Sequence, residues 1–404
     1  MKESAPENYC VALQPICDGA LRHVADELLY RAGVNANFAQ VDDDMMVTAR
    51  VCNAAFYETG IEKLVGRRKL FFNAPREWLL RPELLPPDSS QVVVEVLESV
   101  TGEPAVIEAL RRIRRLGYEV ALDDFVLTPA TRPLLEVASV VKVDMLQPLR
   151  LDDILLYRNR GIRLLAEKVE DMETFERCRA LGFELFQGYF YARPEVQTST
   201  ARDRTGNRQA QLRILAELQR EAADYHKLES LIIQDPQLAF MLLRYTNSAM
   251  FYRVSKAVTI LQAISMLGLH RVRTVVLTLM LANNGPASRL LLPQVLTRAA
   301  MCERLAEKMG GVPPEVAFMA GMISMMDVIL GLSLADILEA LPLGQDVNDA
   351  LLHRSQCLGQ VLDMVEAFEQ AQTAGLEPEM VARLNRTWMS SRVWATEILS
   401  AVGT

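Results

Sequence analysis

Val141-Lys142-Val143-Asp144 is a short apolar run that ends on a lysine and an aspartate. It reads as a buried parallel strand whose C-terminal end carries chemistry. Leu122-Asp123-Asp124 before it and Leu164-Leu165-Ala166-Glu167 after it share the design: aliphatic residues suited to burial on both faces, then ionisable groups where the strand runs out. In a barrel of alternating strands and helices, side chains at the C-terminal strand ends converge on one mouth. Carboxylates distant in sequence would therefore meet there, and that mouth is the expected active site.

The alternation extends to both sides of this stretch. Residues 11–16 and 25–31 read as opening strands, 42–66 as helical with a glycine stop, and 69–73 and 91–96 as further strands. Pro104 to Leu116 is apolar at Val106, Ile107, Leu110, Ile113 and Leu116 and closed by Gly117, the pattern of a helix. Strands at 118–123, 140–144, 162–167 and 184–187 alternate with helices near 151–160 and 171–181, which indicates an α/β barrel. Residues 195–208 (EVQTSTARDRTGNR) are polar and without apolar period, the signature of a linker. Beyond them the strand signal disappears and helical periods run almost to the terminus. The expected fold class is α/β plus all-α: a barrel over 1–195, a linker over 196–207 and an all-helical domain over 208–404.

A chain of 404 residues is long enough for more than one core. A net charge of −8 argues against a general polyanion binder, so no DNA partner is expected. Arg111, Arg112, Arg114 and Arg115 stand in the last turns of a helix, where cations complement its dipole, a better reading than a nucleic-acid patch. The six cysteines show no CxxC pair, and nothing at the N-terminus has the regions of a signal peptide. Reduced thiols and a cytoplasmic location are expected. No apolar stretch reaches the ~18 to 20 residues of a membrane span. Met319, Met322, Met325 and Met326 recur at helical spacing and read as core filling. His226 and His270 read as surface or packing histidines rather than ligands.

As chemistry alone, the barrel offers Glu27, Asn73, Glu95, Asp123, Asp124, Asp144, Glu167 and Glu170, with Lys142 and Gln187. So many carboxylates in one mouth repel one another and raise their own pKa values unless cations neutralise them. Oxygen ligands without a His or Cys cluster select Mg²⁺ or Mn²⁺ over zinc. Adjacent Asp123 and Asp124 can each face a different ion, and two ions ~3.5 to 4 Å apart serve in-line displacement at phosphorus. Phosphodiester hydrolysis is the chemistry this set suits.

Gln14-Pro15-Ile16, Glu27-Leu28-Leu29-Tyr30-Arg31, Asn73, Glu95 with Glu98, Asp123-Asp124-Phe125, Lys142-Val143-Asp144, Ala166-Glu167-Lys168-Val169-Glu170 and Gln187-Gly188-Tyr189 occur in the order of the EAL-domain cyclic di-GMP phosphodiesterases, which residues 9–195 resemble. The resemblance implies hydrolysis of cyclic di-GMP to linear pGpG with two Mg²⁺ or Mn²⁺ ions. It makes Glu27, Asn73, Glu95 and Asp123 ligands of one ion, with Asp123 bridging and Asp124 completing the other. Glu167 becomes the general base, Lys142 a water-orienting and charge-stabilising group, and Asp144, Glu170 and Gln187 groups at the mouth. Arg31, Gln14 and Gln187 would hold substrate, Glu98 would anchor the loop after Asp124, and the barrel would form a homodimer. The sequence departs from the family at Leu28, where alanine is usual, at Val126-Leu127-Thr128-Pro129 in place of a glycine-containing loop, and at Lys168 in place of glycine. Valine, leucine and proline stiffen that loop, so nucleotide binding with slow hydrolysis is expected.

The second domain resembles the HDOD module through Asp235-Pro236, Leu242-Leu243-Arg244, Thr246-Asn247-Ser248-Ala249, Ile264 to Gly268, and Gly321 to Asp327. This module is related to HD phosphohydrolases without their metal ligands, which agrees with the lack of a His-Asp dipeptide here. The resemblance implies a regulatory domain with an unidentified protein partner, in a bacterial signalling protein. Two alternatives stand beside hydrolysis: a silent barrel serving as nucleotide receptor or scaffold in the control of motility or biofilm formation, and a helical domain whose interaction is the whole function.

Overall fold

A computed structural model describes residues 9–32, 53–190, 213–214, 216–218, 220, 223–234, 236–247, 257, 259–282, 286–330, 333–340, 343–373 and 376–402. The expected linker and residues 42–52 of the expected early helix lie outside them. The chain divides into two compact units, one of Met1–Tyr191 with Ala371–Asn385, the other of Ala192–Gln370 with Arg386–Thr404.

Eight strands close the barrel of the first unit: β1 (Tyr9–Asp18), β2 (His23–Ala32), β3 (Lys69–Ala74), β4 (Val92–Val96), β5 (Glu119–Leu122), β6 (Val140–Asp144), β7 (Arg163–Val169) and β8 (Leu185–Gly188). β1 and β2 form an antiparallel hairpin, β2 to β8 run parallel in sequence order, and β8 returns antiparallel to β1. The hairpin follows from its link: residues 19–22 are far too few for a parallel crossover. Asp18 closes the turn by accepting the Ala20 and Arg22 N–H groups at 2.9 and 3.0 Å.

Five helices are described around the barrel: α1 (Ile61–Val65), α2 (Arg76–Leu79), α3 (Pro104–Arg115), α4 (Leu151–Asn159) and α5 (Met172–Leu181). Gly60 separates α1 from a π-helical turn at Asn53–Thr59. α3 starts on Pro104, which needs no N–H there, and buries Val106, Ile107, Leu110 and Ile113. Two of its four arginines are paired locally, Arg111 with Glu108 and Glu136 and Arg115 with Glu108. α5 is capped by Asp171, whose carboxylate accepts the Thr174 N–H at 2.7 Å.

Ala371–Asn385 groups with this unit. Buried Asn385 accepts the Val11 N–H of β1 at 3.1 Å, and the Cys10 thiol lies 3.6 Å from Thr373 Oγ1. The five described cysteines are free.

The second unit is helical among its described residues. Its helices are α6 (Tyr225–Ile233), α7 (Pro236–Thr246), α8 (Ile260–Leu267), α9 (Leu269–Ala282), α10 (Pro286–Met309), α11 (Pro314–Ile323), α12 (Met326–Leu330), α13 (Leu334–Ala340), α14 (Gln345–His353) and α15 (Gln356–Glu369); α16 (Pro378–Val402) ends the chain. α10 and α11 approach closely at Gly321, where a Cβ would lie 2.8 Å from Cys302 Sγ and 3.0 Å from Ala299 Cα. Met319, Met322, Met325 and Met326 are buried, as core filling requires. No described helix is long and apolar enough to cross a membrane.

Candidate active site

Ile16, Ala25, Phe71, Val93, Ala121, Val140, Leu165 and Leu185, one from each strand, form an apolar plug inside the barrel. Side chains alternate along a strand, so the residues two positions nearer the mouth also face inward. Those residues are Gln14, Glu27, Asn73, Glu95, Asp123, Lys142, Glu167 and Gln187. One layer of the barrel is thus hydrocarbon and the next is ionisable. Eight of the sequence-derived residues make up this second layer.

Lys142 occupies its centre, with the side chain 1% exposed. Its ammonium lies 2.6 Å from Glu95 Oε1, 2.7 Å from Asp123 Oδ1, 2.9 Å from Glu167 Oε1 and 3.3 Å from Glu27 Oε1. Amides complete the cluster, since Asn73 Nδ2 donates to Glu27 Oε1 at 3.3 Å and Gln187 Nε2 donates to Glu27 Oε2. Backbone hydrogen bonds continue the ladder past the strand ends and hold the following residues. The Asp123 N–H reaches Val96 O at 3.0 Å, Phe125 N–H reaches Lys142 O at 3.2 Å, and Met145 N–H reaches Glu167 O at 3.1 Å.

One ammonium cannot neutralise four carboxylates. Burial pushes Glu167 up to about 8, with Asp123 and Glu27 adding to the rise against the pull of Lys142. Burial likewise holds Glu95 well above the usual carboxylate range, reinforced by Glu27 and Asp123. For Lys142 burial opposes the charge, yet Glu95, Glu27, Glu167 and Asp123 outweigh it and keep the ammonium protonated. The cluster is short of positive charge.

The donor set fits a hard divalent cation. Glu95 Oε2, Asn73 Oδ1, Glu167 Oε2, Gln187 Oε1 and Asp124 Oδ1 are buried oxygens with no hydrogen-bond donor among the described residues. Among the described residues no three His, Cys, Asp or Glu side chains are already drawn up as a metal cage. Four of the carboxylates are instead gathered on Lys142.

Above this layer lies a rim. β7 meets β8 through a bulge: Ala166 pairs with Phe186 and Val169 with Gly188, so Glu167 and Lys168 together stand against Gln187. Glu167 keeps the inward face of β7 toward Lys142, and Lys168 stands at the rim, where its ammonium lies 2.7 Å from Asp144 Oδ2 and 3.4 Å from Asp124 Oδ2. Lys168 has φ of +52° and Asp124 of +41°, left-handed conformations that cost a non-glycine residue roughly 1–2 kcal/mol. Gly188 is obligatory opposite the bulge, since a Cβ there would lie 2.1 Å from Val169 O.

The remaining sequence-derived positions are Gln14, already in the inner layer, with Arg31, Glu170 and Glu98. Gln14 pairs with Glu27 across the hairpin, and Arg31 belongs to β2 with its side chain outside the described set. Glu170 is exposed just beyond β7. Glu98 is exposed in the turn after β4 and makes no hydrogen bond or ion pair with the loop after Asp124 among the described residues. That loop is tied otherwise. Gly102 N–H donates to Ala130 O at 2.9 Å, the Thr128 N–H to Thr131 Oγ1 at 2.9 Å and the Thr131 N–H to Thr128 Oγ1 at 3.2 Å.

Fold and site define a class: an eight-stranded barrel with an acidic mouth, followed in the chain by a helical domain. Residues 208–341 match the HDOD domain family. The chain is 33% identical over 377 residues to the cyclic di-GMP phosphodiesterase CdgJ of Vibrio cholerae serotype O1, covering 91% of this chain and 86% of that protein. It is 31% identical over 371 residues to the uncharacterized protein YuxH of Bacillus subtilis, covering 89% and 90%. A crystal structure of an EAL domain protein from Listeria monocytogenes EGD-e is 23% identical, with a TM-score of 0.38, covering 46% of this chain and 87% of that one. The protein belongs to the EAL/HDOD two-domain family related to cyclic di-GMP phosphodiesterases.

Proposed function

We propose that the barrel binds cyclic di-GMP and hydrolyses one of its phosphodiester bonds to give linear pGpG. The observation that carries this reading is the layer of buried, donor-less oxygens gathered beside one lysine at the C-terminal ends of the strands. Glu27, Asn73, Glu95 and Asp123 would hold Mg²⁺ or Mn²⁺, with Asp124 at the rim beside them, and the metal when bound would supply positive charge against the phosphate and activate water.

The chain's own residues account for the proton and the orientation. Lys142 holds Oε1 of Glu167 at 2.9 Å, which leaves Oε2 without a donor and able to accept a proton from water. Lys142 also fixes Asp123 and Glu95, so the carboxylates are held apart in defined positions despite their repulsion. Gln187 donates its amide nitrogen to Glu27, which leaves the buried Oε1 without a donor and suited to accept from a bound ligand. Gln14 and Arg31 are assigned to substrate binding. The helical domain is assigned a regulatory role through a protein partner.

A receptor with little turnover is the second reading. It is favoured by the Lys168–Asp124 ion pair, which engages a carboxylate that hydrolysis would use for metal. Incubating the full chain with cyclic di-GMP and Mn²⁺, with product resolved by anion-exchange chromatography beside a binding titration, separates the two. Formation of pGpG supports hydrolysis, binding without product supports the receptor, and neither would overturn both.

A further inference from the structure

The inner and rim carboxylates differ in how far their lysines compensate them. Glu27, Glu95, Asp123 and Glu167 share the single ammonium of Lys142, whereas Asp124 and Asp144 share that of Lys168. By count the inner set places four carboxylates on one ammonium and the rim pair two, so the inner set has the greater demand for a divalent cation.

Lys168 is also held in place by the fold. The bulge in β7 fixes its backbone in a left-handed conformation. Asp144 is fixed too, because its Oδ1 accepts the Leu146 N–H at 2.8 Å while Oδ2 takes the lysine. A cation tethered to the chain is present at a high effective concentration, so an ion from solution competes with it for the Asp124 carboxylate.

We propose that Lys168 is a tethered cation standing where a second divalent ion would otherwise be held, so that the barrel takes up one divalent cation, at the inner carboxylates, with Lys168 acting as a positioning residue for Asp124. This rests on the metal-assisted reading of the same mouth. It sets the number of ions, a property that reading leaves open.

Mn²⁺ titration of the nucleotide-free full chain, read by the free-ion paramagnetic resonance signal and by calorimetry, tests it. Wild type is expected to bind one ion tightly. Lys168→Met, which keeps the chain length without the charge, and Lys168→Gly, which suits the positive φ, are expected to bind two, the second at least tenfold tighter than any second ion in wild type. Lys168→Arg should keep one, and adding Asp124→Asn to Lys168→Met should return two to one. Two tight ions in wild type would overturn the proposal while leaving metal-assisted hydrolysis standing, as would one ion in wild type and in both charge-removing variants. No tight ion in any of these proteins would overturn the metal-assisted reading and this proposal with it. Near-UV circular dichroism confirms that each variant retains its packing.

Discussion

Lys142 Nζ stands 2.9 Å from Glu167 Oε1 inside a barrel where both side chains are removed from water. The pair joins the electrostatics of the fold to the chemistry of the site. One partner supplies the only ammonium among the described residues of the inner layer, and the other carries the oxygen left for a proton.

Replacing Lys142 with methionine should destabilise the metal-free protein by ~3–5 kcal/mol, the usual cost of stranding buried charge after removing its partner. The loss is read by urea denaturation. Mn²⁺ should recover part of it, so the metal-induced rise in Tm is expected to be larger in the variant than in wild type. A variant as stable as wild type without metal would show that the carboxylates are neutral without Lys142.

Asn385 is a second site of stability, distant from the chemistry. Its side chain accepts the Val11 N–H at 3.1 Å, and Asn385→Ala would leave a buried donor unpaired. The expected cost is ~1–3 kcal/mol. Amide exchange at Val11 should accelerate while exchange in β5 to β7 changes less. Unchanged exchange at Val11 would contradict the assignment.

His270 gives a pH dependence in the helical unit. The hydrogen bond to Glu303, 3.3 Å away, raises its pKa above the ordinary value against partial burial, with the edge of Phe318 alongside. A raised folded-state pKa means the contribution is fully present below the unfolded value, ~6.5, and is lost as pH rises through the folded value. The pair is half exposed, so the effect should stay below ~1 kcal/mol. Comparing urea midpoints of wild type and His270→Gln from pH 5.5 to 8.5 should show the difference shrinking as pH rises; a difference that grows would contradict the pairing.

Most of the barrel was legible because its parallel strands are short apolar runs ending in ionisable groups, as at Val140–Asp144 and Arg163–Val169. Inward and outward faces follow from alternation, so knowing that Val140 is plug makes Lys142 site. Three features were not legible. The bulge at Glu167–Lys168 carries lysine where glycine would have signalled a left-handed residue, so the reach of Lys168 to Asp144 was hidden. The grouping of residues 371–385 with the barrel unit leaves no local period to read. Glu98 looked like a loop anchor, yet the Thr128–Thr131 exchange ties the loop from within, a pairing that periodicity does not report.

Hydrolysis by a base on β7 is tested most directly by single-turnover conversion of cyclic di-GMP to pGpG with Mn²⁺, wild type beside Glu167→Gln, with nucleotide affinity measured on both. The glutamine keeps shape and most hydrogen bonding, so binding should stay within a few fold while conversion falls by roughly 10²–10⁴. Equal conversion by the two proteins, or none by wild type under any Mn²⁺ concentration, would contradict it.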